Sequence, residues 1–194
     1  VPGVTRGVPL PRERGVDVDT AADLAVADAL ALRTPVREFA VGRFRFEPGR
    51  CFVIAEAGVN HNGDVALAHR LVDVAADAGA DAVKFQTFEP KLLAAATARK
   101  AAYQVANTGE DGDQLAMLEA LVLPHAAHRE LQAHAAERGL MFLSTAFDEG
   151  SADMLEALDV PAFKVPSGEL TNHRLVRHLA RKGRPLLVST GMAT

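Results

Sequence analysis

The sequence predicts an α/β fold, a partial (β/α)8 TIM barrel of about five strand–helix units preceded by a β-hairpin and an N-terminal helix. From residue 51 onward, short apolar runs alternate with segments of helical periodicity. This alternation indicates a parallel sheet, because parallel neighbours need crossover connections. Polar residues stand at the end of every run. They favour a barrel, whereas a doubly wound sheet, the open alternative, gathers such residues at one crevice.

The composition is typical of a globular domain without a nucleic-acid or membrane partner. Of the 194 residues 48% are hydrophobic, which is enough for a core, and a net charge of −4 favours neither kind of partner. The single cysteine, Cys51, cannot form an internal disulfide, so we expect a reducing compartment and a cytoplasmic location. No apolar run approaches the ~18 residues of a membrane helix, and no secretory signal is visible.

Residues 1–34 differ in character from the rest of the chain. They begin with scattered proline and glycine and pass into an alternating acidic pattern that contains Asp17 and Asp19. A helix rich in alanine and leucine is predicted over 21–32, with a polar residue before it as N-cap. Pro35 ends this helix, because the residue before proline avoids the helical region.

The later elements are predicted from apolar runs, caps and turn signals. Residues 36–50 alternate between apolar and charged side chains around glycine turns, which predicts a β-hairpin. The predicted strands cover 52–55, 82–86, 140–144, 162–165 and 186–189. The predicted helices cover 65–78, 124–139, 149–158 and 172–181. The first helix is expected to bury Leu67, Leu71, Val74 and Ala78. Segment 87–123 is too long for a simple turn and is expected to be functional or partly helical.

A lysine inside the second predicted strand is the first chemical signal. Side chains alternate along a strand, so Val83 and Phe85 face the helices while Lys84 and Gln86 face the barrel mouth. A lysine in a short apolar strand is costly to bury unless it meets a partner. Two interpretations stay open: an ion pair with an acid such as Glu56, which ends the first strand, or an anion site.

A second lysine repeats the pattern in the fourth strand. Lys164 lies between two apolar residues, and the strand ends nearby carry several hydroxyl groups. These belong to Ser144, Thr145, Ser167, Ser189 and Thr190. Two lysines with several hydroxyls at one mouth suit an oxyanion such as a phosphate or a carboxylate.

The histidines and the cysteine have plainer interpretations. Histidines in predicted helices are expected on solvated faces: His69, His125, His128, His134 and His178. His61 lies in the loop beside Glu56, where it is either catalytic or a structural hydrogen-bonding residue. Cys51, at the start of the first strand, is expected to be a buried hydrophobic residue.

Ordered motifs give the sequence a family resemblance. They are IAEAGVNHNGD, ADAVKFQTF, FLSTAFD, PAFKVPSGELTN and LLVSTGMAT. Over residues 38–194 the chain resembles the N-acetylneuraminate (sialic acid) synthases and their legionaminate and pseudaminate relatives. The resemblance implies a (β/α)8 barrel followed by a small antifreeze-like domain. It also implies condensation of phosphoenolpyruvate with an N-acyl hexosamine, such as N-acetylmannosamine, to a nine-carbon 2-keto acid and phosphate. A divalent metal, Mn2+ or Mg2+, and a homodimer of the full-length protein are further implications.

The same resemblance implies a role for each matching residue. Glu56 would be the catalytic carboxylate, and Lys84 would act in catalysis and binding. The residues implied to bind phosphoenolpyruvate are Lys84, Thr145, Lys164, Ser167 and Ser189. Those implied to bind the sugar are Gln86 and Asn107. The family's metal-ligand histidines lie on later strands, so no metal ligand for this reaction is expected within these residues, and the chain alone is expected to be inactive.

A second resemblance concerns residues 1–34, which are similar to the C-terminal tail of an acylneuraminate cytidylyltransferase. It implies that Asp17 and Asp19 help to bind Mg2+; an ordinary linker with a capped helix is the alternative. The expected organisation is therefore a tail or linker over 1–34 and part of a synthase barrel over 35–194. Two rival functions stay open: another barrel that condenses phosphoenolpyruvate, for example with a phosphorylated sugar, and a non-catalytic phosphate-binding or regulatory module.

Overall fold

The structure is a computed structural model that describes residues 39–47, 49–93 and 114–191. Its strands are β1 (Ala40–Val41), β2 (Phe44–Arg45), β3 (Ile54–Gly58), β4 (Ala82–Thr87), β5 (Met141–Ala146), β6 (Phe163–Val165) and β7 (Leu186–Val188). Its helices are α1 (Val65–Asp77), α2 (Pro90–Leu93), α3 (Gln114–Glu119), α4 (His125–Glu137), α5 (Glu149–Ala157) and α6 (His173–Arg181), with a 3-10 turn at Ser167–Glu169. The helix predicted over 21–32 lies outside the described residues.

The main sheet confirms the predicted fold class. In the described part of the chain, β3 to β7 form a five-stranded parallel sheet in which each strand pairs with the next along the chain. A doubly wound sheet reverses its strand order at a switch point, whereas this order runs in one direction, as in a barrel. The predicted hairpin is present as β1 and β2, and α2 and α3 show that the long segment is partly helical.

The hairpin closes the amino-terminal end of the sheet. Val41 and Phe44 are buried against Ala82 and Met141, which open β4 and β5. Full burial of a phenylalanine contributes roughly 1.5–3 kcal/mol, so these contacts hold the hairpin against the strand ends. The carboxyl ends of the strands are left as the end where a site can form.

The outer face of the sheet packs against the helices through small residues of α1. Val83 and Phe85 of β4 are fully buried in this layer, as strand alternation predicts. The expected stripe of α1 is wrong at Val74, which is 63% exposed, and at Ala78, while Leu71 packs on the core in part. The helix buries a neighbouring stripe instead. The buried residues of α1 are Ala68, Val72 and Ala75. Their small side chains let the helix lie close to the sheet.

The ends of the elements follow the expected capping chemistry. Asp64 caps α1 by accepting hydrogen bonds from the amides of Ala66 and Leu67. Asp148 caps α5 and Asn172 caps α6 in the same way. The expected burial of Cys51 is wrong, since Cys51 is exposed and β3 begins only at Ile54. Among the described residues, no helix has the length and apolar character to cross a membrane.

Candidate active site

Lys84 lies in the interior of the sheet between an acid and a hydroxyl. It is paired in register with Glu56 on β3, its side chain is only 9% exposed, and its ammonium forms an ion pair with the Glu56 carboxylate. Lys84 Nζ also donates a hydrogen bond of 3.2 Å to Thr145 Oγ1 on β5. The Glu56 side chain is 51% exposed, so the pair opens onto solvent on its acidic side. Both interpretations of Lys84 are therefore compatible with its contacts.

Lys164 repeats this arrangement two strands further along the sheet. Its Nζ donates hydrogen bonds of 2.5 Å to Ser189 Oγ and 3.1 Å to the Val165 carbonyl. Lys164 and Thr145 are register partners, so the two lysines lie on either side of Thr145 on one face of the sheet. Two positive charges with hydroxyl groups beside them form a surface suited to an anion that carries two negative groups.

Gly58 separates Glu56 from Gln86 at the mouth. The pairing of β3 with β4 shifts between Glu56 and Gly58, and Gly58 has φ +53°. A Cβ at Gly58 would lie 3.2 Å from Glu56 Oε1 and 3.6 Å from Gln86 Nε2. The absent side chain thus keeps the space between carboxylate and amide open. Sequence reasoning assigned Gly58 only to a loop, because the bulge depends on pairing with β4.

The remaining predicted site residues divide into two groups. Ser167 is exposed in the 3-10 turn, and a Cβ at Gly191 would lie 3.9 Å from its Oγ, so Ser167 is beside the loop after β7. Asn107, Asp17 and Asp19 lie outside the described residues. The roles assigned to all these residues stay predictions.

Ser144 does not belong to the mouth. Strand alternation turns it to the helix side of the sheet, where its hydroxyl lies 2.7 Å from Thr87 Oγ1. Its neighbour Thr145 takes the inward position instead. The hydroxyl set for an anion therefore lacks Ser144.

The histidines also depart from expectation. His128 is buried, and His134 and His178 are half-buried with acid partners, Asp73 at 2.9 Å and Asp153 at 2.6 Å. The expectation of a solvated helix face is therefore wrong for His128. A helix that packs on a sheet has few fully solvated positions, and the acidic partners come from neighbouring helices.

His61 is buried on the helix side of the sheet, in the loop after β3. It is 1% exposed, its Nδ1 accepts a 3.1 Å hydrogen bond from the Gly63 amide, and its ring lies 6.0 Å from that of Phe85 on the helix side. Burial lowers the pKa of His61, although the Gly58 carbonyl raises it in part. Burial thus favours the neutral ring, and the contact with Phe85 places His61 away from Glu56's side of the sheet.

Asp148 has a wider structural role than the predicted cap. Its Oδ1 accepts a 2.7 Å hydrogen bond from the Ser151 amide, and its Oδ2 accepts one of 2.8 Å from the Glu89 amide. The carboxylate thereby joins the loop after β4 to the loop after β5. A cap signal is visible in sequence, but its contact with Glu89, 59 residues away, is not.

A divalent metal does not fit the described residues as a complete site. Within residues 39–47, 49–93 and 114–191, no group of three or more histidine, cysteine or acidic side chains is placed to hold a metal ion. We therefore assign no chemical step of this chain to a metal.

The fold and the mouth define a partial α/β barrel with two lysine–hydroxyl pairs at the carboxyl ends of its strands. The chain belongs to the NeuB family, whose sequence profile matches residues 71–194. It is 47% identical over 144 residues to the N,N'-diacetyllegionaminic acid synthase of Campylobacter jejuni, covering 74% of this chain and 43% of the relative. It is 51% identical over 142 residues to the synthase of the same name from Legionella pneumophila, covering 73% and 40%.

A solved structure has the same architecture. The N-acetylneuraminic acid (sialic acid) synthetase of Leptospira borgpetersenii, in complex with citrate, superimposes with a TM-score of 0.67 at 28% identity. The match covers 81% of this chain and 51% of that protein. The chain spans less than half of the length of the two legionaminic acid synthases that it matches.

Proposed function

We propose that the complete gene product condenses phosphoenolpyruvate with an N-acyl hexosamine, giving a nine-carbon 2-keto sugar acid and phosphate. The observation that carries this proposal is the pair of lysines, each bonded to a hydroxyl, beside the half-exposed carboxylate of Glu56. Membership in the NeuB family supports it. Mn2+ or Mg2+ as cofactor, a homodimer and a cytoplasmic location belong to the same proposal.

Phosphoenolpyruvate has as many anionic groups as the mouth has ammonium groups. It carries a phosphate and a carboxylate, and the mouth offers two ammonium groups separated by Thr145. An ammonium has three N–H donors, and among the described residues Lys84 directs contacts to Glu56 and Thr145, so one donor is left for a ligand. In this proposal Ser167 and Ser189 complete the contacts around Lys164.

The reaction needs a group that stabilises positive charge at C2 of phosphoenolpyruvate. Its C3 forms a bond to the aldehyde carbon of the sugar, whose oxygen takes up a proton, and C2 becomes an oxocarbenium-like centre. Water adds at C2, and the resulting tetrahedral intermediate breaks its C–O bond to phosphate and forms the keto group. The Glu56 carboxylate is placed to stabilise the cationic centre or to accept the proton from water.

The names of the relatives narrow the acceptor. Two are called N,N'-diacetyllegionaminic acid synthase. Phosphoenolpyruvate brings three carbons and no nitrogen, so both acetamido groups of such a product must come from a six-carbon acceptor. We therefore propose a diacetamido hexose as the first acceptor to test, with N-acetylmannosamine second. In the proposal, the Gln86 amide beside Gly58 and Asn107 bind this sugar.

A phosphorylated acceptor is the second candidate. A human relative that is 37% identical over 80% of this chain is called N-acetylneuraminate-9-phosphate synthase. Its 9-phosphate corresponds to a phosphate on C6 of the acceptor, since the first three carbons come from phosphoenolpyruvate. The relatives with a legionaminic acid name are 47% and 51% identical, which favours the unphosphorylated acceptor.

An acceptor panel tests both candidates. The complete gene product is incubated with phosphoenolpyruvate, Mn2+ or Mg2+, and in turn a diacetamido hexose, N-acetylmannosamine and its 6-phosphate. We expect phosphate release and a 2-keto acid in equal amounts, highest with the diacetamido sugar, by phosphate assay and mass spectrometry. Preference for the 6-phosphate would support the second candidate. Phosphate release without added sugar, or binding without any product, would reject the synthase and favour a hydrolase or a binding module.

A further inference from the structure

A buried chain of hydrogen bonds lies on the helix side of the sheet, directly behind the mouth. His128 of α4 lies with its Nε2 3.0 Å from Thr87 Oγ1, and its Nδ1 lies 3.1 Å from the Pro124 carbonyl. Thr87 Oγ1 is in turn 2.7 Å from Ser144 Oγ on β5. His128, Thr87 and Ser144 are 2%, 5% and 0% exposed. The chain therefore joins one helix to two strands out of contact with water.

The direction of each hydrogen bond is fixed by the first acceptor. A carbonyl can only accept, so His128 Nδ1 carries the proton and donates to Pro124. In a neutral ring Nε2 is then a lone pair that accepts from the Thr87 hydroxyl, and the Thr87 oxygen accepts from Ser144. Every proton in this series of hydrogen bonds has one position. Loss of the Thr87 hydroxyl would break the series at its centre.

The two strand residues of this chain are neighbours of the proposed ligand-binding residues. Thr87 follows Gln86 in β4, and Ser144 precedes Thr145 in β5. Adjacent residues in a strand face opposite sides, so a bond between Thr87 and Ser144 fixes from behind the relative position of Gln86 and Thr145 in front. Gln86 and Thr145 are also register partners.

We propose that His128 is a positioning residue, which through Thr87 and Ser144 sets the distance from Lys84 to Thr145 and the place of Gln86 at the mouth. This inference rests on the proposed function. The residues around His128 favour a neutral ring, which the hydrogen bond accepted from Thr87 requires. Burial lowers the pKa of His128, and His125 and His61 lower it further, although the Pro124 carbonyl raises it.

Thr87→Val tests the inference, because valine keeps the shape of threonine and removes the hydroxyl. Thr87→Ser, which keeps the hydroxyl, is the matched rescue variant. Val72→Ala is the stability control, since Val72 is a buried residue of α1 in the outer layer and its apolar side chain takes part in none of these hydrogen bonds. Phosphoenolpyruvate affinity is measured by calorimetry and melting by circular dichroism, both in the complete gene product. We expect Thr87→Val to weaken binding about 10-fold and Thr87→Ser to remain within about 2-fold of wild type.

Phosphoenolpyruvate affinity is compared between Thr87→Val and Val72→Ala at a similar loss of melting temperature. This comparison separates a positioning role from a general loss of stability. If Val72→Ala weakens binding as much as Thr87→Val does, or if Thr87→Val binds like wild type, the positioning role is wrong. If wild type itself does not bind phosphoenolpyruvate, the proposed function and this inference fall together. Should Thr87→Val not fold, Ser144→Ala removes the last donor of the chain and is judged by the same two comparisons.

Discussion

Replacing Lys84 by methionine separates a ligand-binding lysine from a structural ion pair. Methionine keeps the length and apolar stem of the side chain and removes the charge. Glu56, the partner of Lys84, is 51% exposed and keeps water contact after the change. Loss of a half-exposed pair costs about 0–1 kcal/mol and the 3.2 Å hydrogen bond to Thr145 about 1 kcal/mol more, offset in part by removal of a nearly buried charge. A net loss of about 1 kcal/mol is well below the ~3–5 kcal/mol for breaking a buried ion pair.

The effect on ligand binding should be larger. A hydrogen bond to a charged group contributes about 1.5–3 kcal/mol, so phosphoenolpyruvate affinity should fall at least ~10-fold. Lys182→Met is the matched control, because the Lys182 side chain is 7% exposed and pairs with Asp153 and Glu156 between α5 and α6, away from the mouth. It should lose stability without losing affinity.

Melting curves and calorimetric titration of the complete gene product with phosphoenolpyruvate provide both quantities for each variant. The reasoning would be refuted by a Lys84→Met protein that melts as if a buried pair were broken yet binds phosphoenolpyruvate like wild type. Equal loss of affinity in Lys182→Met would refute it as well.

Three further predictions concern the acid, the glycine at the mouth and the buried histidines. Glu56→Gln should bind phosphoenolpyruvate almost normally and lose most turnover in steady-state kinetics, because its role lies in the transition state; near-normal turnover would remove Glu56 from the mechanism. Gly58→Ala should lose affinity and turnover, because its methyl group would lie 3.2 Å from Glu56 Oε1. Gly79→Ala is the control: Gly79 has φ +77° and nothing within 4 Å, so this variant shares only the backbone strain of about 1–2 kcal/mol. Equal kinetics in the two alanine variants would contradict this. Burial lowers the pKa of His61 and His128 from 6.5, so the unfolded chain binds more protons below that pH, and stability should fall as the pH drops from about 7.5 to about 5.5. Urea unfolding midpoints measured across this pH range check the prediction, and the decrease should be smaller in His128→Gln than in wild type. An equal decrease in the two proteins would count against it.

The strands, the cap of α1 and the strand order were predictable, because the sequence signals for them are local. Alternation along β4 placed Val83 and Phe85 outside and Lys84 inside, and the structure has them there. The cap at Asp64 and the start of α1 follow from the hydrogen bonds that a carboxylate offers to free amides. The parallel order of strands follows from helices that alternate with them.

The features that sequence did not reveal depend on partners distant along the chain. In an alanine-rich helix such as α1 several stripes have helical spacing, and packing on the sheet selected Ala68 and Val72 rather than Val74. A histidine in a helix is usually expected at the surface. His128 is buried because it forms a hydrogen bond with Thr87, which lies 41 positions away along the chain. The predicted strand ended at Ser144, which placed this residue at the mouth. The observed strand β5 extends to Ala146, and alternation along it turns Thr145 inward and Ser144 outward.

The most direct test of the central claim is a crystal structure of the complete gene product with phosphoenolpyruvate. The two anionic groups of the ligand should lie within hydrogen-bond distance of Lys84 Nζ and Lys164 Nζ, with Thr145 between them. A cleft of about 250 Å³ lies at the opposite end of the sheet, and its charged lining residues are Arg43, Arg50 and Asp81. Phosphoenolpyruvate in that cleft, with the lysine mouth empty, would contradict the account.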